Sequence, residues 1–234
     1  MIGYSGARLY PSDNFGPRKD KKTPRFIILH HTAMEDADAA LERLCSPFHE
    51  VSAHYLITST GEIVQLVSED QRAWHAGRSF WQGEEDINSA SIGIELDNNG
   101  KVPFSFPLTH SLVRLVGDIQ SRWSILPAHV LGHFEIALGR KGDPSVKFDW
   151  RVLEQFGVAQ RTPLPPWSQT RAETFLDAAN ALGYDVSQGT ALVKQAFRQR
   201  YRPAHVKGPL SEADHALISA LCAQNEFDDP SRTA

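Results

Sequence analysis

A short proline-rich segment, residues 162–167, divides the sequence into two parts that have different hydrophobic patterns. Its prolines at positions 163, 165 and 166 lack a backbone N–H and restrict the residues before them, so a helix or a central strand cannot continue through the segment. Short apolar runs alternate with helical patterns before this linker, whereas only helical patterns follow it. The sequence therefore predicts an α/β domain over residues 25–161 and a small helical domain over residues 168–234.

The predicted α/β domain contains strand-like and helix-like segments in alternation, a pattern that favours a mixed central β-sheet flanked by helices. Gly61 lies between two strand-like runs and supplies the turn of a hairpin. Residues 1–24, which are rich in proline, glycine and charged side chains, predict an irregular N-terminal arm. The predicted strands are 25–30, 92–96 and 129–132 with the hairpin over 54–67, and the predicted helices are 37–44, 107–123 and 148–156.

The part after the linker has the pattern of three short helices. Apolar residues at 175, 176, 179 and 182 form one stripe, and Gly183 supplies the C-cap of that first helix. Thr170 and Glu173 have the spacing of a capping box at its start. The second helix is predicted over about 190–201. The third is predicted to start at Ser211, with Asp214 as its capping partner, and to run to about residue 224, which completes a small three-helix domain.

Composition and charge exclude several classes of protein. The net charge is −4, so neutralisation of nucleic-acid phosphates is not expected. The longest uninterrupted apolar run, residues 26–29, is far shorter than the roughly 20 residues of a membrane span. Cys45 and Cys222 lie far apart and form no CxxC pattern, which argues against a disulfide framework and against a thiolate zinc site.

The N-terminal residues predict where the protein is found. Met1 is followed by a polar, charged stretch without the basic and apolar regions of a secretory signal. We therefore expect a cytoplasmic protein. A periplasmic location is the alternative if the chain is the trimmed mature form of a longer precursor.

Histidines at predicted strand ends suggest a metal site. His30 ends the first strand, and His133 follows the strand 129–132. Asp143, in a turn that contains Pro144, could bring a carboxylate near His133. Three nitrogen or oxygen ligands with one open position are typical of catalytic zinc. On spacing alone, other interpretations stay open: His129 and His133 form a rival pair if that segment is helical, and each histidine could have a structural role.

A series of segments, taken together, carries a resemblance to a known family. In chain order the series resembles the type-2 N-acetylmuramoyl-L-alanine amidases, zinc enzymes related to phage lysozyme-amidases and peptidoglycan recognition proteins. The resemblance covers roughly residues 24–156. The segments are FIILHHT from residue 26, SAHYLI from 52, GEIVQ from 61, AWHAG from 73, NSASIGIEL from 88, GH at 132 and RKGDP from 140.

The resemblance implies a zinc site made by His30, His133 and Asp143. The first histidine of the pair at 30 and 31 is the one that matches the family ligand. Ser145 departs from the glycine that usually follows the Asp-Pro pair, a change that weakens the expected loop geometry but removes no chemical group.

The resemblance also implies roles for residues around the metal. Glu95 would be the general base, and Lys141 would help to stabilise the oxyanion. Trp74 and His75 are expected to contact the substrate. Gly93 shares a strand face with Glu95, and its small size is expected to leave room for substrate there.

The resemblance implies hydrolysis of the amide bond between the lactyl carbonyl of N-acetylmuramic acid and L-alanine. The substrate would be peptidoglycan or soluble anhydromuropeptides, with a preference for the soluble fragments of cell-wall recycling. A non-catalytic peptidoglycan-binding protein is the alternative. The ligand set discriminates between the two, because such relatives commonly lack one metal ligand, whereas all the expected ligands and Glu95 are present here. An unrelated zinc peptidase or deacetylase is a third hypothesis.

The C-terminal helices resemble, more faintly, the three-helix peptidoglycan-binding modules of cell-wall hydrolases. Residues 175–184 and 196–198 carry this resemblance. The glycine-rich turn that such modules have between their first two helices is reduced here to Gln188 and Gly189. The alternative is a bundle that only packs on the catalytic domain.

Overall fold

The computed structural model describes residues 1–167 and 174–228. It contains eight strands and eight α-helices within those residues. The strands are β1 (Arg8–Leu9), β2 (Phe15–Pro17), β3 (Phe26–His31), β4 (Tyr55–Ile57), β5 (Ile63–Gln65), β6 (Gln71–Ala73), β7 (Ser91–Leu96) and β8 (Val130–Gly132). The helices are α1 (Ala37–Cys45), α2 (Ile87–Ala90), α3 (Phe106–Trp123), α4 (His133–Ile136), α5 (Trp150–Gln155), α6 (Phe175–Leu182), α7 (Thr190–Tyr201) and α8 (Glu212–Asp228).

The main sheet is mixed, as the sequence predicts. Its strand order across the described residues is β1-β5-β4-β7-β3-β8. Strand β3 runs parallel to both β7 and β8, and β4 runs parallel to β7, whereas β5 returns antiparallel to β4 as the predicted hairpin. Because β3, β7 and β8 are parallel, their carboxyl ends meet at one edge of the sheet, and the chain segments that leave this edge can build a site.

The core forms on both faces of β3. Residues 26–29 of β3 are fully buried, as expected for a parallel strand covered on both sides. Helix α3 packs on the sheet through the apolar stripe predicted from its periodicity, which includes Leu112, Leu115 and Ile119. Ser105 caps the helix by accepting a hydrogen bond from the backbone N–H of Leu108. The α/β class expected from the sequence is confirmed.

The N-terminal arm differs from its prediction as irregular chain. Strand β1 extends the main sheet by pairing in parallel with β5, and β2 forms a separate two-stranded antiparallel sheet with β6. Tyr55 adds a tertiary contact, because its hydroxyl accepts a hydrogen bond of 2.9 Å from the backbone N–H of Tyr4. Strands of two and three residues are too short to show a hydrophobic period, and their pairing partners lie 54–58 residues away, so local sequence cannot reveal them.

The three C-terminal helices occur close to their predicted positions. The predicted capping pair of Thr170 and Glu173 lies outside the described residues. The observed cap of α6 is Thr174, whose hydroxyl accepts a hydrogen bond from the backbone N–H of Asp177, and the helix ends at Gly183 with φ of +127°. Helix α8 extends to Asp228 and is thus longer than predicted.

The C-terminal helices share one apolar core with the α/β domain. Tyr184, which follows α6, packs edge-on against Trp81 with ring centroids 4.8 Å apart. The backbone N–H of Gln82 donates a hydrogen bond of 2.9 Å to the carbonyl of Gly183. These contacts attach the C-terminal helical unit, which consists of α6, α7 and α8, to the segment of the α/β domain that follows β6.

A buried ion pair holds α7 to the start of α8. Arg198 donates from Nε to Asp214 Oδ1 at 3.0 Å, and the same carboxylate accepts a hydrogen bond of 2.8 Å from the backbone N–H of Ser211. We expect Asp214→Ala to lower the free energy of unfolding by about 3–5 kcal/mol, because it leaves the Arg198 guanidinium buried without its counter-ion. Urea denaturation measures this loss.

The stabilisation by the Asp214 carboxylate is also expected to depend on pH. Burial disfavours ionisation of Asp214, but hydrogen bonds from Arg198 and Ser211 outweigh it and hold the pKa well below its usual range. The stabilisation is therefore present at neutral pH and decreases as the pH falls below about 4. The exposed neighbour provides a control, since Glu212→Ala should change stability by less than about 0.5 kcal/mol. An equal loss in the two variants would contradict the prediction.

None of the α-helices in the described part of the chain is both long and apolar enough to cross a membrane.

Candidate active site

The carboxyl edge of the parallel strands brings together residues that are far apart in sequence. His30 and Glu95 are register partners on β3 and β7. Leu29 pairs with Gly132, the last residue of β8, so the next residue, His133, starts α4 beside His30. The irregular segment between α4 and α5 supplies Asp143. These side chains line a cleft of about 260 Å³.

Three ligand atoms converge in this cleft. His30 Nδ1 lies 2.9 Å from His133 Nδ1 and 3.1 Å from Asp143 Oδ2, and His133 Nδ1 lies 3.0 Å from the same carboxylate oxygen. Tetrahedral zinc, with bonds of about 2.0–2.1 Å, places its ligand atoms about 3.3 Å apart. The spacing and the two-nitrogen, one-oxygen donor set fit zinc. The predicted ligand set is thus assembled in one place.

A backbone carbonyl sets the tautomer of His133. The Nε2 atom of His133 lies 3.0 Å from the carbonyl oxygen of Ala76, which can only accept a hydrogen bond. Nε2 therefore carries the proton, and in the neutral ring Nδ1 presents a lone pair to the cleft. This is the arrangement that commonly orients a metal-ligating histidine.

A chain of hydrogen bonds sets the tautomer of His30. The hydroxyl of Ser91 donates to the carbonyl of Ile87 at 2.6 Å, so it accepts from His75 Nε2 at 3.1 Å. His75 Nδ1 then has a lone pair, which accepts the Nε2 proton of His30 at 3.0 Å. The Nδ1 atom of His30 is left free to face the other two ligand atoms.

The protonation states suit a cation site. Burial and the neighbouring His133 lower the pKa of His30 to about 4, so its imidazole is neutral at physiological pH. Burial opposes ionisation of Asp143, but its close contacts with His133 and His30 outweigh burial and hold the pKa of that carboxyl well below its usual range. Neutral imidazoles and an ionised carboxylate are the forms that bind metal.

Glu95 lies in the same cleft and has an unusual carboxyl group. Its Oε2 atom is buried and has no hydrogen-bond partner among the described residues. Burial, and next the negative charge of Asp143, raise the pKa of Glu95 to about 8, whereas Lys141 acts in the opposite direction. A carboxyl group with a pKa near the working pH can both accept and return a proton, which is what a general base needs.

The other predicted site residues all line the cleft. Lys141 is exposed, and Trp74 and His75 are half-buried. Their catalytic and substrate-binding roles stay predictions. The expectation that Gly93 leaves room for substrate is wrong, because a Cβ atom placed there would lie 2.5 Å from the ring of His75. The ring of His75 already occupies that space.

The structure also decides between the alternative histidines. His31 is not one of the three residues whose ligand atoms converge, and its Nδ1 accepts a hydrogen bond of 3.1 Å from the backbone N–H of Ser145. His129 packs against Phe26 at the opposite end of β8 from His133, with ring centroids 5.2 Å apart. The rival pair of His129 and His133 is therefore wrong.

Sequence reasoning missed the residues that orient the ligands. Ser91 and the carbonyl of Ala76 act through hydrogen bonds to His75 and His133. Neither has a local signal, since a serine at the start of a strand and a backbone carbonyl look ordinary in any sequence. Only the approach of distant segments reveals what they contact.

Comparison with known proteins identifies the family. The sequence profile of the N-acetylmuramoyl-L-alanine amidase family matches residues 20–146, more than half of the chain. The chain belongs to this amidase family. The AmiD amidase of Escherichia coli is 32% identical to it over 228 residues, which cover 84% of this chain and 82% of AmiD. The family expected from the ordered motifs is thus confirmed.

Two solved structures resemble most of the amidase chain. The complex of E. coli AmiD with anhydro-N-acetylmuramic acid-L-Ala-D-gamma-Glu-L-Lys has a TM-score of 0.75 and 32% identity, and the match covers 88% of this chain and 91% of that one. AmpDh3 of Pseudomonas aeruginosa in complex with anhydromuramic pentapeptide has a TM-score of 0.75 and 29% identity, over 96% of this chain and 98% of that one. The resemblance of the C-terminal helices to peptidoglycan-binding modules stays a prediction.

Proposed function

We propose that this amidase uses zinc to hydrolyse the amide bond between the lactyl carbonyl of N-acetylmuramic acid and L-alanine. The observation that carries the proposal is one cleft in which His30, His133 and Asp143 converge beside the unpartnered carboxyl oxygen of Glu95. A complete ligand set next to a candidate base favours an enzyme over the alternative of a silent peptidoglycan-binding protein.

The ligand residues and the metal have separate tasks. His30, His133 and Asp143 would hold the ion, with the two imidazoles kept in the correct tautomer by His75 and the carbonyl of Ala76. When bound, zinc acidifies water and polarises a carbonyl group.

Glu95 is proposed to move the proton. Its carboxylate accepts a proton from the attacking water and returns it to the amine of L-alanine, which must be protonated to leave. The raised pKa of Glu95 favours acceptance of the proton, because a carboxylate of ordinary acidity would hold it less readily. The Lys141 ammonium at the cleft is proposed to stabilise the negative charge that develops on the carbonyl oxygen.

The proposed substrates are soluble anhydromuropeptides. Both of these solved relatives hold such fragments, namely the anhydro-N-acetylmuramic acid tripeptide in AmiD and the anhydromuramic pentapeptide in AmpDh3. Polymeric peptidoglycan is the second candidate, favoured by the likeness of the C-terminal helices to wall-binding modules. The cytoplasmic location expected from the sequence stays a prediction, which fractionation of the producing cells tests.

The test is a cleavage assay on the full chain with three preparations of enzyme. The as-isolated, chelator-treated and zinc-restored proteins are incubated with a soluble anhydromuropeptide, and the products are identified by mass spectrometry. We expect a free peptide with an L-alanine N-terminus, loss of that product after metal removal, and recovery when zinc is returned. Full hydrolysis by metal-free protein kept in chelator would disprove the zinc mechanism.

Two further substrates separate the competing functions. Purified sacculi report on polymeric peptidoglycan, and a faster rate on sacculi would overturn the proposed preference for soluble fragments. A peptide without a muramyl group reports on the hypothesis of an unrelated zinc peptidase. Equal turnover of that peptide would favour the peptidase.

A further inference from the structure

The loop that carries Asp143 is held by the C-terminal helical unit. Gln199 of α7 is buried, with 9% of its surface exposed. Its Nε2 atom lies 2.9 Å from the carbonyl oxygen of Gly142 and 3.0 Å from that of Pro144. These two carbonyls flank Asp143 on either side, so the side-chain amide of Gln199 spans the residue that supplies the carboxylate ligand.

The chemistry of this contact is specific to an amide group. Backbone carbonyls only accept hydrogen bonds, and a carboxamide nitrogen has two hydrogens to donate. Both hydrogens of the Gln199 Nε2 group are therefore used, one for each carbonyl. An apolar side chain of similar size could fill the space, but it would leave two carbonyls without this donor.

The α/β domain holds the loop from the other side. The backbone N–H of Phe134 donates a hydrogen bond of 3.0 Å to the carbonyl of Asp143. Ser145 donates from its backbone N–H to His31. The segment around Asp143 has no helix or strand of its own, so its position depends on these tertiary hydrogen bonds and on Gln199.

Other residues of the helical unit contact the segment that carries His133. Glu135, two residues after His133, accepts hydrogen bonds from the Tyr184 hydroxyl at 3.1 Å and from the backbone N–H of Gly132 at 2.7 Å. The guanidinium of Arg200 lies 3.7 Å from the same carboxylate and stacks 3.3 Å from the centre of the Trp150 ring. Two of the three ligand-bearing segments are therefore supported by residues 184–200.

We propose that Gln199 is a positioning residue for the metal ligand Asp143, and that the C-terminal helical unit thereby sets the zinc affinity of the amidase cleft. This inference rests on the proposed zinc-dependent function. It gives the helical unit a task inside the catalytic centre, separate from any binding of glycan. Groups that orient metal ligands typically change metal affinity by about 10–100-fold when they are removed.

The test compares two glutamines of the same helix in the full-length protein. Gln199→Met keeps a similar length and volume and removes both donors. Gln195→Met is the matched control, because Gln195 lies one helical turn earlier and is exposed. The zinc dissociation constant is measured by competition with a chromogenic chelator, and thermal unfolding is recorded for the metal-free proteins.

We expect zinc binding to weaken by about 10–100-fold in Gln199→Met and to stay within about twofold of wild type in Gln195→Met. A purely structural role would lower the unfolding temperature of the metal-free protein without changing the zinc affinity of the folded fraction. Wild-type zinc affinity in a folded Gln199→Met protein would overturn the inference.

A second, milder substitution of Gln199 allows the test to be made if Gln199→Met does not fold. Gln199→Asn retains an amide but is one methylene shorter, so it cannot reach both carbonyls and should give an intermediate loss of zinc affinity. Failure of both variants to fold would also overturn the inference, because Gln199 would then be needed for folding. Absence of zinc binding by the wild type would instead refute the proposed function itself.

Discussion

Replacing Glu95 with glutamine is expected to lower kcat by about 10²–10⁴-fold while zinc stays bound. The substitution keeps the size of the side chain and removes its ability to accept and return a proton. The Nδ1 atoms of His30 and His133 and the carboxylate of Asp143 are unchanged, so the metal site should stay intact. Steady-state kinetics on an anhydromuropeptide, with metal content assayed on the same samples, measures both quantities.

The pH profile gives a second readout for Glu95. A general base acts when it is ionised, so kcat/KM should fall as the pH drops through the pKa of Glu95. Burial and Asp143 raise this pKa to about 8 in the protein without metal, and the positive charge of bound zinc acts in the opposite direction. We therefore expect the acid limb of the zinc enzyme below pH 8, and we expect Glu95→Gln to lose it.

An exposed glutamate is the control for this experiment. Glu42 lies on the exposed side of α1, and Glu42→Gln should leave kcat, zinc content and the acid limb unchanged. If Glu95→Gln kept full activity, or retained the acid limb of the wild type, another group would have to be the base.

Replacing His133 with alanine is expected to remove both zinc binding and activity. In the proposed site His133 is one of three protein ligands, and its Nδ1 atom lies 2.9–3.0 Å from the other two candidate ligand atoms. Removal of groups that only orient a ligand costs about 10–100-fold in metal affinity, so loss of a ligand itself should cost more than about 100-fold. Chelator competition and elemental analysis measure the loss.

The control for His133 is a histidine outside the site. His110 is exposed on α3 and stacks on Phe106, with ring centroids 5.9 Å apart. His110→Ala should retain one zinc ion per chain and wild-type turnover. Stoichiometric zinc of wild-type affinity in His133→Ala would show that the metal is held elsewhere, and the proposed mechanism would fail with it.

The two substitutions separate the parts of the mechanism. Glu95→Gln is expected to give an inactive protein that holds zinc, whereas His133→Ala is expected to give an inactive protein that does not. A variant of Gln199 falls between them, since zinc at high concentration should refill its site. Together they distinguish the base, the metal ligands and the support that the C-terminal helices provide.

The fold class and the identity of the candidate ligands follow from the amino-acid sequence. Strand β3 is recognisable because a buried parallel strand is apolar throughout. The observed bounds of helix α7, Thr190–Tyr201, agree with the helix predicted over about 190–201. Glu95, His30, His133 and Asp143 were found because each belongs to a local motif, and the motifs follow one another in the order of the amidase family. Such features depend only on residues that are neighbours in the sequence.

The way in which the site is held together follows from contacts between distant parts of the chain. Strands β1 and β2 form by pairing with distant segments, His75 fills the space beside Gly93, and Gln199 reaches the loop of Asp143 from more than 50 residues away. The physical reason is the same in each case. A hydrogen bond or a packed contact depends on which groups meet in space, and short, irregular or polar segments carry no periodic pattern that predicts their partners.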